Sequence, residues 1–87
     1  MVFYYTALQS RAHAFLLERR MKSEGVECEL AFMPRPILRD LCNLGVKFKD
    51  SDFQSAVRII RQSGLPGIKV YKETIYPNNS QYTEIII

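Results

Sequence analysis

Tryptophan is absent from this 87-residue chain, histidine occurs once, and cysteine occurs twice. His13 alone cannot build a metal site, and Cys28 and Cys42 fit neither a zinc spacing nor a disulfide scaffold. Apolar runs such as Ala14–Leu17 fall far short of the roughly 20 residues that a membrane span needs. Val2-Phe3-Tyr4-Tyr5 follows the initiating methionine directly, without the basic region, apolar stretch and cleavage site of a secretory signal. The expectation is therefore a cytoplasmic protein. Charge of one sign is not concentrated either. Twelve basic and nine acidic residues give a net charge of +3, and they are interleaved, so no basic block announces nucleic acid. No Ser/His/Asp set, glycine-rich phosphate loop or paired-carboxylate pattern points to an independent enzyme. Neither catalytic activity of its own nor a tightly bound cofactor is expected.

What is present is a globular balance, with 47% hydrophobic, 24% charged and 11% aromatic residues, unlike that of disordered or fibrous chains. A chain of this length buries about 60–65% of its unfolded surface, enough for one core layer. Val2 to Ala7 is rich in β-branched and aromatic residues and predicts a first strand. Ser10 is a good N-cap for a helix over residues 10–24, closed by Gly25. Cys28, Leu30 and Phe32 alternate with Glu27, Glu29 and Ala31, which predicts a half-buried second strand. Met33-Pro34-Arg35-Pro36 breaks it, and a connector with room for a helical turn follows to Asn43. Leu44, Val46 and Phe48 alternate with Gly45, Lys47 and Lys49 in a third strand. Asp50-Ser51-Asp52 offers caps to a second helix over residues 52–63, ended by Gly64. Ile68 to Glu73 predicts a fourth strand.

The order β-α-β-β-α-β predicts an α+β fold, the ferredoxin-like two-layer sandwich with two helices on one face of an antiparallel sheet. Residues 1–75 read as that single domain. Residues 76–87 read as a C-terminal extension, because turn chemistry at Tyr76–Ser80 leads into another strand-like segment, Gln81 to Ile87. Three consecutive isoleucines are expected to find a surface on this chain or another.

The first helix carries more apolar residues than one sheet can cover. Ala14, Leu17 and Met21 cluster within about 60° and make a sufficient core stripe. Phe15 and Leu16 point elsewhere, on the same face as Arg19. With Ile85, Ile86 and Ile87 they form the candidate contact surface for a protein partner or a second copy of the chain. The competing arrangement folds the tail back over Phe15 and Leu16. Nucleic acid is not an expected partner. The first strand carries suitable aromatics, but Gly45-Val46-Lys47-Phe48 lacks the aromatic-rich pattern of RNA-recognition modules.

From Tyr5 to about Lys72 the chain resembles the small family of selenium/sulfur carrier-like proteins. The resemblance rests on Ser10-Arg11-Ala12-His13-Ala14 followed by Glu18, and on the turn Lys22-Ser23-Glu24-Gly25. It continues through Pro34-Arg35, through Cys42 ahead of Leu44-Gly45-Val46-Lys47-Phe48, and through Gly67 to Lys72. The family usually has serines before the cysteine and a glycine after it. This chain has Leu38-Arg39-Asp40-Leu41 and Asn43 instead, so the sulfur is kept within a different cradle.

The resemblance implies a carrier that holds sulfur or selenium as a persulfide or selenide adduct on Cys42. Such a role requires a thiolate able to attack and then release. Arg35 and Arg39 would supply a favourable field, with Asp40 opposing it. The bland reading makes Cys42 a small buried hydrophobe under a loop. His13, at the family's histidine position, would orient a donor or the thiolate, or would simply pack at the helix end. Cys28, facing the core, is the weaker candidate. The alternative to a carrier is an accessory subunit or interaction module whose function is its surface.

Overall fold

The computed structural model describes residues 1–38 and 42–87. Strand β1 (Val2–Ala7) leads to helix α1 (Arg11–Ser23), then β2 (Cys28–Phe32), β3 (Leu44–Lys49), helix α2 (Phe53–Ser63), β4 (Lys69–Ile75) and β5 (Ser80–Ile85). The five strands form one sheet in the order β2-β3-β1-β4-β5. Every neighbouring pair is antiparallel. The architecture is a mixed α+β fold, and each predicted element is present within two residues of its predicted bounds.

Local chemistry explains most of those bounds. The Ser10 hydroxyl accepts a hydrogen bond from the His13 backbone N–H at 3.2 Å, satisfying one of the open donors at the start of α1. Gly64, with φ of +69°, ends α2 in the left-handed conformation that other residues adopt only at a cost. The start of α2 departs from the expected side-chain cap. Residues Asp50–Asp52 form a short 3-10 turn, and Asp52 makes no capping hydrogen bond. The Asp50 carboxylate instead accepts from the Tyr4 hydroxyl at 2.9 Å, tying this turn to β1.

Strand alternation divides the sheet into two faces. On one, Tyr4, Val46, Phe48 and Val70 pack against Ala14, Leu17 and Met21 of α1 and Ala56, Ile59 and Ile60 of α2. Tyr4 stacks on Phe48 with ring centroids 5.4 Å apart and lies 4.5 Å from Phe53. On the other face a smaller cluster joins Tyr5, Ala7 and Tyr71 to Met33 and Ile37. Met33 and Ile37 belong to the connector between β2 and β3, which makes a single 3-10 turn at Arg35–Ile37. Both are buried.

Gly45 makes that second cluster possible. A side chain there would run into the Thr6 carbonyl oxygen and the Met33 side chain. The missing Cβ leaves the depression that Met33 fills, a use of strand glycine for close approach. Substituting Gly45→Ala is expected to cost about 1–3 kcal/mol through overpacking, read as a lower urea midpoint at unchanged slope.

The C-terminal segment completes its own sheet. A turn closed by the Tyr76 N–H on the Asn79 carbonyl, at 2.8 Å, pairs β5 with β4 from Ile75–Ser80 to Val70–Ile85. The Tyr82 hydroxyl donates to Glu73 at 2.7 Å, and Glu73 is only 7% exposed. Burial first, and then hydrogen bonding to a carboxylate, push the phenols of Tyr4 and Tyr82 from 10.0 to about 12. These phenols therefore stay protonated in the fold at pH values where the unfolded chain has begun to ionise them. The stabilisation they contribute is complete below pH 10.0 and is lost as pH rises through about 12. Tyr82→Phe is expected to lose about 1.5–3 kcal/mol at neutral pH, because a nearly buried carboxylate loses its donor. It is also expected to flatten the fall of stability in alkali, and urea unfolding across pH 8 to 12 measures both effects.

Candidate functional site

The connector that carries Cys42 is clamped at its base. The Met33 N–H donates to the Asn43 carbonyl at 2.7 Å, closing the loop just before β3. The Cys42 N–H donates to the Leu8 carbonyl at 2.9 Å. That bond holds Cys42 against the short turn Leu8-Gln9-Ser10, which leads from β1 into α1. The opposite end of the turn, the Ser10 hydroxyl, holds the His13 backbone. One three-residue turn thus carries hydrogen bonds to both Cys42 and His13.

Cys42 is a free, half-buried thiol whose Sγ lies 4.0 Å from the Asn43 side-chain oxygen. A half-buried sulfur on a tethered backbone is reachable while its position is held. His13 is also half-buried, and its Nδ1 is buried without a hydrogen-bond partner among the described residues. Arg35 is exposed in the 3-10 turn of the connector. Arg39, with Asp40 and Leu41, lies outside the described residues.

Cys28 is a different kind of thiol. It packs against the main core, and its Sγ donates to the Glu18 carbonyl at 3.7 Å. Burial and the nearby Glu18 carboxylate raise its pKa, so the protonated, unreactive form is favoured. A cavity of about 500 Å³ beside β2 is lined by Cys28, Phe3, Lys47 and Lys49, and Cys42 takes no part in it. This cavity and Cys42 are therefore at different places, and Cys28, like Cys42, is half-buried. No cluster of His, Cys, Asp or Glu among the described residues is arranged to hold a metal ion. Among the described residues, no helix is long and apolar enough to cross a membrane.

The sheet face opposite the helices is partly occupied. The connector covers Tyr5 and Tyr71, and the Lys47 ammonium sits 4.4 Å from the Phe3 ring centroid and 5.4 Å from that of Tyr5. Phe15 and Leu16 are 52% and 57% exposed. The tail does not cover them, because β5 pairs with β4 at one sheet edge while α1 packs over β2 and β3 near the other. Ile85 packs partly against the main core. Ile86 and Ile87 are 86% and 37% exposed, so of the three isoleucines expected to find a surface on this chain or another, this chain covers chiefly Ile85.

Sequence reasoning singled out Cys42, His13 and Arg35 but missed the groups that position them. These are the Leu8 carbonyl, the Met33–Asn43 clamp and the space above Gly45. A glycine inside an alternating strand was the available signal for the last.

Fold and site together describe a small α+β scaffold presenting one tethered thiol at a sheet end. A family model described as "Putative Se/S carrier protein-like" matches residues 3–72. The chain belongs to this family. Neither the curated proteins nor the solved structures give a match. The matched stretch contains Cys42, His13 and Arg35 and ends within β4, so β5 and its isoleucines lie beyond it.

Alkylation separates the two thiols. With Cys28→Ser and Cys42→Ser variants in the folded protein, Cys42 is expected to react faster than Cys28 at every pH from 6 to 9. A Cys42 that resists alkylation until the chain unfolds would remove it as a reactive group.

Proposed function

We propose that this protein carries a sulfur or selenium atom on Cys42, as a persulfide or its selenium analogue, and has no catalytic activity of its own. The family match across residues 3–72 carries this reading. The contrast between Cys42, tethered through its backbone N–H, and Cys28, whose sulfur packs against the core and donates to the Glu18 carbonyl, supports it. The scaffold is read as ferredoxin-like, with β2-β3-β1-β4 as its four-stranded sheet and β5 as an added edge. The location is read as cytoplasmic, where thiols are kept reduced.

Loading needs no external oxidant. The Cys42 thiolate attacks the terminal sulfur of a donor persulfide, R–S–SH, and the donor S–S bond breaks. The donor thiolate leaves with its electron pair and takes up the proton released when Cys42 ionised. Unloading is the same exchange with an acceptor nucleophile attacking the outer sulfur and the Cys42 thiolate leaving. Selenium in the outer position follows the same course. His13 would donate or accept a hydrogen bond at the donor or at the outer atom. Arg35 and Arg39 would place positive charge where the thiolate forms and where it is released.

A second reading, that of an accessory subunit, is favoured by the exposed Phe15–Leu16 pair. It is compatible with the first, since a carrier must meet both donor and acceptor.

Treatment with less than one equivalent of a low-molecular-weight persulfide tests the carrier reading. Intact-mass analysis is expected to show the gain of one sulfur on the wild type and on Cys28→Ser. That gain should be lost on reduction and absent from Cys42→Ser. Equal sulfur uptake by Cys42→Ser, or an adduct localised to Cys28, would overturn it.

A further inference from the structure

We propose that the outer surface of the helix layer is a docking site for an acidic, amphipathic segment of another protein. The proposal stands on the helices alone and does not depend on the chemistry of Cys42.

Among the described residues most arginines lie on the helices and most lysines on the strands, Lys22 on α1 and Arg35 in the connector being the exceptions. Arg11, Arg19, Arg20, Arg58 and Arg61 lie on the two helices and are exposed, whereas Lys47, Lys49, Lys69 and Lys72 lie on strands. Helix α2 contains no acidic residue. The acids near α1 are already engaged, Glu18 by Lys22 at 3.2 Å and Glu24 by Arg20 at 3.3 Å. Arg11, Arg19, Arg58 and Arg61 make no ion pair among the described residues. The helix layer therefore presents an excess of guanidinium groups whose planar forks match carboxylates.

Two of these cations, Arg19 and Arg20, border an apolar seat. A groove of about 570 Å³ lies between α1 and the end of α2, lined by Leu16, Leu17, Arg19, Arg20, Ser23, Glu24, Ser63 and Leu65. Glu24 is taken up by Arg20, which among the described residues leaves Arg19 as the unpaired charge on its rim. Leu16 is 57% exposed along it, and Phe15 is its equally exposed neighbour on α1. An apolar centre with an arginine rim is the composition of a protein contact site, where aromatic residues and arginine are enriched and lysine is depleted.

Charge selects the occupant. A second copy of this chain fits poorly, because its helix layer would bring arginine against arginine. Its sheet strands offer four lysines against Glu29, Glu73 and Glu84, so they provide no acidic surface. A membrane surface fits less well than a protein. The main apolar stripe of α1, Ala14, Leu17 and Met21, is buried under the sheet rather than turned outward as a membrane-lying helix requires. What remains is a segment with carboxylates flanking one or two apolar side chains, the latter seated between Leu16 and Leu65.

The test uses a synthetic helical peptide with glutamates on both sides of a leucine pair, and a scrambled peptide of the same composition. Titration of the isotope-labelled protein is expected to shift amide signals on the outward positions of α1 and α2 and to leave β5 unmoved. The scrambled peptide should bind about tenfold more weakly, as should the Arg19→Glu/Arg61→Glu double variant and, separately, Leu16→Ser. Circular dichroism confirms that these surface variants are folded. Equal binding of the two peptides would overturn the proposal, as would shifts centred on the sheet. So would tighter association with phosphatidylserine-containing vesicles or with a single-stranded RNA oligomer than with the patterned peptide.

Discussion

The start of the connector between β2 and β3, Met33 to Ile37, lies on the sheet because one strand position has no side chain. Gly45 leaves room for Met33 against the Thr6 carbonyl, and Ile37 follows Met33 down onto Tyr5 and Tyr71. Each side chain buried there removes apolar surface from water, worth about 1.5–3 kcal/mol when burial is complete. That anchoring fixes Met33 to Ile37 in a stretch interrupted by two prolines. The end of the connector is held by backbone hydrogen bonds, Met33 to Asn43 and Cys42 to Leu8. The candidate thiol is thus positioned from the ends of β1 and β2.

The same face shows how a small domain stabilises both sides of one sheet. The helices supply a broad apolar layer to Tyr4, Val46, Phe48 and Val70. The opposite face has only short coverage and relies on specific polar arrangements as well. Tyr82 donates to the nearly buried Glu73, and Lys47 spans Phe3 and Tyr5. Strand β5 is held by backbone pairing and by this tyrosine rather than by a deep core, consistent with only Ile85 of the three terminal isoleucines joining the main cluster.

Regular elements were legible because their signals are local. Alternation in Leu44–Lys49 and the stripe of Ala14, Leu17 and Met21 each depend on neighbours within a turn or a pleat. The Ser10 cap was legible for the same reason. Asp50 was not, because its choice of Tyr4 over the helix start joins residues 46 positions apart. The candidate thiol was visible as a residue, and its surroundings were not. Leu8, Met33 and Gly45 acquire their roles only when β1, β2 and β3 lie side by side. Phe15 and Leu16 were readable as surplus to the core stripe, since helical angle alone separates them from it. The destination of the C-terminal strand needed the sheet order, which placed it beside β4 and away from α1.

On the proposed carrier reading, function depends on keeping the two thiols distinct. Cys28 and Cys42 share a residue type and a half-buried position but are held by different contacts. Core packing, the Glu18 carbonyl and the Glu18 charge all favour the protonated form of Cys28. Cys42 is held through its backbone, and its sulfur is half-buried. A thiol whose backbone bears the structural duty can change its sulfur chemistry without disturbing the scaffold. That separation is what a carrier site requires, because the loaded and empty forms must present the same surface to different partners. The helix layer, with its arginines and its Leu16 groove, lies on the side of the sheet away from the Met33–Ile37 cluster. A partner seated there would leave the connector's packing intact.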